Sequence, residues 1–202
     1  LNQDIHIIDF YNHKCNGYFV DVGAYDGIKF SNTYLLEKKY NWNGICIEPG
    51  KRFYQKLIDI RTVPCVECAI YRESGIDLEF IDCGDDDEKG SMLSSLSLCA
   101  SYRTKNNAKE SYLVKTKTLN EILVEYNAPN FIDYISIDVE GAETDVLMSV
   151  DFGKYTFGYI TIEFNNNCYL KSVIDNILTS NGYIFKQVNE FDIDYIHKSV
   201  NK

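Results

Sequence analysis

Residues 17–27 read Gly17-Tyr18-Phe19-Val20-Asp21-Val22-Gly23-Ala24-Tyr25-Asp26-Gly27, and the fold turns on how this stretch is read. Tyr18, Phe19, Val20 and Val22 form a short aromatic and β-branched run, the pattern of a strand buried on both faces. The run stops at Gly23, and Gly27 follows one turn later, just ahead of a helical pattern. Glycine is needed where the backbone takes positive φ or where a ligand packs against the main chain. A strand passing through a glycine turn into a helix N-terminus is how α/β proteins hold nucleotide-like cofactors. The spacing Asp21-x-Gly23-x-x-x-Gly27 differs from the tighter Gly-x-Gly-x-x-Gly of dinucleotide sites. With an acid at the strand end it suits a cofactor with an amino-acid end and no pyrophosphate, S-adenosylmethionine first among them. A structural glycine turn is an equal reading of the motif alone, so the remaining chain has to decide.

The 202 residues suffice for one domain with a full core, and the expectation is a single domain over 1–202. Because the first residue is Leu1 rather than Met, excision from a longer polypeptide is also an expectation. The net charge of −10 gives a surface that repels phosphate backbones, which counts against a nucleic-acid partner. No apolar run approaches a membrane span, and the first residues lack the basic and apolar regions of a secretion signal. The seven cysteines are odd in number and scattered, and the Cys65-x-x-Cys68 spacing has no second pair or histidine to complete a zinc site. Reduced, buried thiols in a reducing, cytoplasmic compartment are expected.

Along the chain, a leading helix over Asn2–Tyr11 precedes the first strand, and Ser31 offers an N-cap to a helix reaching about Tyr40. Ile45–Glu48 is a second buried strand closed by Pro49 and Gly50, Phe53 and Leu57 stripe the next helix, and Val63–Ile70 reads as the third strand. That alternation predicts parallel pairing with right-handed crossovers. The middle departs from it. Ile76–Ile81 is an extra strand, Asp85–Glu88 a solvated acid run, and Ser91–Lys109 shows no sustained period; Tyr112–Thr118 can pair with the Ile76 strand. Residues 76–118 therefore read as an insertion lying over the cofactor face as a substrate lid, with Ser94 and Ser95 as acceptor contacts. The rhythm then resumes: helix Leu119–Tyr126, strand Ile132–Asp138, helix Glu143–Val150, strand Tyr159–Phe164, a helix ending near Asn181-Gly182, and a closing hairpin of Tyr183–Val188 and Ile193–His197. The expected architecture is a doubly wound, mostly parallel seven-stranded α/β sheet with a C-terminal antiparallel strand and an inserted β/loop segment.

Ligands of open α/β sheets sit outside the carboxyl ends of the strands, so the residues there matter most. The first strand ends at Asp21 and Gly23, and the second at Glu48, 21 residues beyond Gly27, where an acid can accept two hydrogen bonds from a ribose diol. The third ends at Cys68-Ala69, small enough for an adenine to lie flat; the fourth at Asp138, followed by Glu140; the fifth at Glu163, followed by Asn165. Taken together, Phe19–Gly27, Ser31-Asn32-Thr33, Trp42–Pro49, Ala69-Ile70, Thr118-Leu119, Ile135–Glu143 and Ile160–Asn165 resemble the FkbM family of S-adenosylmethionine-dependent methyltransferases, of the class I Rossmann-like fold. The resemblance implies that Asp21, Gly23 and Asn32 face the amino-acid end of the cofactor, that Glu48 holds the ribose, and that Cys68 and Ala69 border the adenine. Ala24, Tyr25, Gly27, Pro49 and Asp138 complete the expected cofactor contacts. It also implies methylation of a hydroxyl on a sugar (a glycan, or a deoxysugar such as rhamnose or fucose) or on a polyketide-type natural product, with S-adenosylhomocysteine as product.

A sugar hydroxyl needs a base or a Lewis acid to react. His6, His13 and His197 lie away from the strand ends, so Asp138 is the first choice of base, with Glu163 facing it and Glu140 nearby. Two facing carboxylates raise the pKa of one. Alternatively Asp138 and Glu163, with Asn165 or Glu140, would hold Mg2+. The rival classes are an NAD-dependent oxidoreductase, disfavoured by the glycine spacing, and a non-catalytic cofactor-fold domain of a larger glycan-processing protein. The oligomeric state is not legible.

Overall fold

The computed structural model describes residues 3–84 and 94–200; the Asp85–Glu88 acid run lies outside them. The first half runs α1 (Gln3–Phe10), β1 (Tyr18–Val22), α2 (Tyr34–Tyr40), β2 (Asn43–Ile47), α3 (Lys51–Ile60), β3 (Cys65–Val66), β4 (Ala69–Ile70), β5 (Asp77–Asp82) and β6 (Ser95–Leu96). The second half runs α4 (Tyr102–Asn107), β7 (Glu110–Lys117), α5 (Leu119–Glu125), β8 (Phe131–Ile137), α6 (Glu143–Met148), β9 (Thr156–Glu163), α7 (Cys168–Ser180), β10 (Tyr183–Asn189) and β11 (Asp192–His197).

The main sheet has seven strands in the order β10-β11-β9-β8-β1-β2-β3. β3, β2, β1, β8 and β9 pair in parallel, and β11 is antiparallel to both its neighbours. This is the expected doubly wound sheet, and β1 lies inside it because its residues are apolar on both sides. Val20 and Val22 join Ile45, Ile135 and Ile160 in the larger core, which α5, α6 and α7 close with Leu119, Val146 and Ile174. Phe19 points the other way and packs with Ile7, Leu36, Leu57, Tyr134 and Tyr159 under the first three helices.

The apolar run Val63–Ile70 is not one strand. β3 pairs with β2 (Cys46 opposite Cys65, Ile47 opposite Val66), whereas β4 pairs in parallel with β7 in a second sheet of order β4-β7-β5-β6. An apolar run reports burial but not which sheet takes up the ladder; the last rung here is Glu48 N–H to Val66 O at 3.0 Å. The expected pairing of the Ile76 and Tyr112 segments is present as antiparallel β5 and β7, from Asp77 opposite Lys115 to Asp82 opposite Glu110. Within Ser91–Lys109, where no regular structure was expected, the chain forms β6 and α4. The six residues of α4 carry no apolar period, and the signal was its cap, the Ser101 hydroxyl accepting from Thr104 N–H at 3.1 Å. The N-cap position of α2 is Thr33 rather than Ser31. The Thr33 hydroxyl is spent on Asp21, and Ser31 Oγ accepts from the N–H groups of Thr33 and Tyr34 at 3.2 and 3.1 Å instead. The cysteines also differ from expectation: Cys46, Cys68 and Cys83 are buried, but Cys15 and Cys168 are exposed. Among the described residues no helix is long and apolar enough to cross a membrane.

Among the described glycines, the one with least room for a side chain lies where β1 ends. Gly23 has φ +88°, and a Cβ there would stand 1.7 Å from the carbonyl oxygen of Asp138. Gly23→Ala therefore forces the ends of β1 and β8 apart as well as straining the backbone. We expect the thermal midpoint to fall by at least about 2–4 °C, following a loss of a kcal/mol or more in a domain of this size. An unchanged midpoint in a calorimetric melt would contradict that contact.

Candidate functional site

The carboxyl ends of β2, β1 and β8 open into a cavity of about 990 Å3, counting its open mouth. Asp21, Gly23, Ala24, Tyr25, Asn32, Glu48, Pro49, Cys68, Ala69, Ser94, Asp138 and Glu140 all line it, so most sequence-predicted site residues are brought together. Gly27, Ser95, Glu163 and Asn165 are not among the lining residues. Gly27 lies behind the wall, its Cα hydrogens facing Leu57 and Arg61, and Ser95 is 1% exposed with an unpartnered hydroxyl. Asn165 is exposed beyond β9. None of the three histidines lines the cavity.

Glu48 is buried at one side. Its Oε2 accepts from Tyr25 N–H at 2.9 Å and its Oε1 from Gly50 N–H at 2.7 Å. Burial raises its pKa to about 7, those two N–H groups opposing the rise and the charges of Asp21 and Asp138 adding to it. Each oxygen keeps acceptor capacity for a ligand donor. Ile47, Phe53, Ala69 and Phe80 supply flat apolar walls beside it, with Phe80 coming from the second sheet.

At the base of β1, Asp21 is held by a cluster that the sequence did not announce. Arg61, with a fully buried side chain, donates to Glu37 Oε2, to Thr33 Oγ1 at 2.9 Å, and to Gly27 O and Ser31 Oγ at 3.3 Å each. Its Nη1 lies 4.0 Å from Asp21 Oδ2, which also accepts from Thr33 Oγ1 at 2.5 Å. Burial pushes the Asp21 carboxyl up, while Arg61 and the Thr33 hydroxyl pull it back down. Glu37 is the anion that offsets the buried guanidinium. It also accepts from Thr62 N–H and Oγ1, both at 2.8 Å, and from Lys38 Nζ at 2.6 Å. One residue from α2 and one from the end of α3 thus fasten the glycine turn to the sheet.

A second buried pattern crosses four strands at one register. Asp21 stands opposite Ser136, Ser136 opposite Thr161, and Thr161 opposite Asp194, and all four are at most 4% exposed. Asn32 Nδ2 closes the row by donating to Ser136 Oγ at 3.0 Å. Asp194 accepts from Tyr159 OH at 2.9 Å, Thr161 Oγ1 at 3.0 Å and Gln187 Nε2 at 2.9 Å. Strand side chains alternate between faces, so Asp138 and Glu163 project on the same side, two residues further on.

There Asp138, Glu140 and Glu163 each bring one carboxylate oxygen within 4.8 Å of the others. Carboxylates gathered this closely repel one another when all are ionised, so the cluster favours a proton on one of them. The pKa of Glu163 is raised by burial and then by the charge of Asp138, which favours its neutral form. Asp138 opens onto the cavity, and its own pKa is raised by its recessed wall and by the charges of Glu143 and Asp192. Glu140 holds its place with φ +55°.

A parallel sheet with this strand order, a glycine turn after its central strand and acids at the following strand ends define the class I methyltransferase fold, whose members use S-adenosylmethionine. The sequence matches the methyltransferase FkbM domain over residues 21–185, and the chain belongs to that family. No curated protein matches the sequence. Among solved structures it resembles methyltransferase FkbM from Methylobacillus flagellatus KT, at 15% identity and TM-score 0.56 over 90% of this chain and 44% of that one. It also resembles the METTL16 methyltransferase domain (10% identity, TM-score 0.53, 96% of this chain and 65% of that one). Precorrin-6y C5,15-methyltransferase from Geobacter metallireducens GS-15 is similar at 11% identity and TM-score 0.50, over 96% and 86%. At these identities the likeness is one of fold, and the chain spans less than half of the Methylobacillus protein.

Replacing Arg61 by Met removes the cation while leaving Glu37 and Asp21 buried. Breaking a buried pair in this way costs about 3–5 kcal/mol. Urea unfolding of Arg61→Met should show a loss of that size, and a loss below about 1 kcal/mol would mean that the cluster does not hold the turn.

Proposed function

We propose that the chain is an O-methyltransferase acting on a hydroxyl of a sugar acceptor, and that residues 1–202 form one catalytic domain. The observation that carries the proposal is the Asp138, Glu140 and Glu163 carboxylate cluster at the edge of a cavity that has the donors and walls for S-adenosylmethionine. The residues fit that cofactor. Glu48 would hold the ribose hydroxyls, and the small pair Cys68-Ala69 would border the adenine between apolar side chains. Asp21, Gly23 and Asn32 would take the amino-acid end, with Ala24, Tyr25 and Pro49 along the wall. The segment 76–118 contributes Phe80, Ser94 and Leu96 to the lining and is read as the acceptor lid.

Bound there, S-adenosylmethionine would supply a methyl group already activated by its sulfonium. The protein has to orient the acceptor oxygen and take its proton. The Asp138 carboxylate would accept the hydroxyl proton, and the chemistry supplied by the bound cofactor would be transfer of that methyl to the oxygen, with S-adenosylhomocysteine and the methyl ether as products. Burial and the neighbouring Asp138 charge favour a neutral Glu163, which leaves Asp138 as the member of the pair that takes the proton. A base with a raised pKa is better matched to this task near neutral pH than an ordinary aspartate. The acid cluster gives a specific ground for a second reading. One oxygen each from Asp138, Glu140 and Glu163 would suit a hard cation such as Mg2+, which would lower the pKa of a bound hydroxyl instead. The chain's acidity disfavours a nucleic-acid acceptor.

Transfer of labelled methyl from S-adenosylmethionine to a panel of methyl glycosides tests the proposal. Asp138→Asn should lower turnover by about 10²–10⁴-fold while S-adenosylhomocysteine binding persists. Wild-type turnover should rise with pH to an acid-limb midpoint well above the ordinary carboxylate value of about 4, because Asp138 must be ionised to accept a proton. Normal turnover in Asp138→Asn would remove the base assignment. Full activity after EDTA treatment keeps direct proton transfer, whereas loss restored by Mg2+ selects the cation.

A further inference from the structure

The apolar side chains around the cavity fall into two sets. Ile47, Phe53, Phe80 and Leu96 are at most 4% exposed and form the wall near Glu48. Phe30 also lines the cavity but is 45% exposed, alone in that among the described aromatic residues of the lining. Its backbone sits at φ +59°, a left-handed conformation that a bulky residue rarely adopts. Neither burial nor conformational preference accounts for a phenyl ring at that position, and strain of this kind clusters where a ligand is clamped.

The turn that carries Phe30 is built rather than slack. Asp26 Oδ1 accepts from the N–H groups of Ile28 and Lys29 at 3.0 and 2.8 Å, and Ser31 N–H reaches back to Ile28 O at 3.2 Å. Arg61 holds Gly27 O and Ser31 Oγ on either side of Phe30. The loop joins two walls of the cavity. It leaves Glu48 at Tyr25 and arrives at β8 through Asn32 and Ser136, two residues short of Asp138 on the same face of that strand. Phe30, two residues before Asn32, lines the same cavity as Asp138, and Asn32, Ser94 and Glu140 bring polar groups to that lining.

We propose that Phe30 is an acceptor platform: its ring packs against the apolar C–H face of a pyranose whose hydroxyl is presented to Asp138. An aromatic ring supplies area at little entropic cost, and the surrounding polar groups fix the sugar's orientation. This rests on the sugar-acceptor reading above and adds to it the face by which the sugar is held.

The test uses the full chain loaded with S-adenosylhomocysteine and titrated with methyl pyranosides of hexoses and 6-deoxyhexoses, followed by saturation-transfer NMR, with labelled methyl transfer in parallel. Phe30→Gly should weaken pyranoside binding at least tenfold while leaving S-adenosylhomocysteine affinity unchanged. Its thermal midpoint should equal or exceed that of the wild type, because glycine relieves the left-handed backbone; a ring needed for packing would lower it. Phe30→Tyr should retain binding. If pyranosides bind and are methylated but Phe30→Gly binds them equally well, the platform is overturned and the sugar reading stands. If S-adenosylhomocysteine binds but only a phenol such as methyl 4-hydroxybenzoate is taken up, both the sugar reading and the platform fall. If S-adenosylhomocysteine itself does not bind, the cofactor assignment fails first.

Discussion

The ends of β1 and β8 approach so closely that only a hydrogen atom fits on Gly23 beside the Asp138 carbonyl. This contact joins the two halves of the site. β1 delivers the turn that lines one side of the cavity, and β8 delivers Asp138 to the other, with Asp138 N–H bonded to Val22 O at 3.0 Å and Gly23 N–H to Ile47 O at 3.0 Å. A side chain at position 23 would separate the strands where the cofactor turn and the acid pair have to be held together. The glycine spacing that departs from dinucleotide sites is thus explained by packing between neighbouring strands as much as by room for a ligand.

Around this contact the protein buries more charge than a stable core requires. Arg61 and Glu37 are sealed beneath the turn, and the Asp21–Ser136–Thr161–Asp194 row crosses the middle of the sheet, with Thr33 donating to Asp21, Asn32 to Ser136 and Thr161 to Asp194. Desolvation makes such groups weak sources of net stability, and their value lies in fixing geometry. They hold the Asp21 carboxylate, Asn32 and the backbone of residues 27–33 from below, while Asp138 and Glu163 extend the same face to the cavity rim. Preorganisation of this kind would suit methyl transfer, in which donor and acceptor must be aligned.

Most of the frame was legible because the strands are continuous apolar runs punctuated by glycine, proline and acids, and because each acid falls at a carboxyl end. Glu48 and Asp138 could be placed by counting from Gly27 and by the strand pattern alone. Arg61 could not: its partners Gly27, Ser31, Thr33 and Glu37 lie 24 to 34 residues away along the chain, and one arginine at a helix end looks like a surface charge. The polar row did leave a trace, since Tyr134-x-Ser136-x-Asp138 and Tyr159-x-Thr161-x-Glu163 repeat one alternation, but the apolar residues between them dominate the pattern. The division of Val63–Ile70 between two sheets had no local signal, because both pieces are buried. Phe30 was passed over for the opposite reason, as an exposed residue in a loop.

The central claim is that the glycine turn and Glu48 together make a site for S-adenosylmethionine rather than for a dinucleotide. Titration calorimetry of the wild-type chain and Glu48→Ala with S-adenosylhomocysteine and with NAD tests it directly. The account predicts one-to-one binding of S-adenosylhomocysteine to the wild type, at least tenfold weaker binding to Glu48→Ala, and no heat with NAD. Binding of NAD in its place, or an S-adenosylhomocysteine Kd indifferent to Glu48, would contradict it.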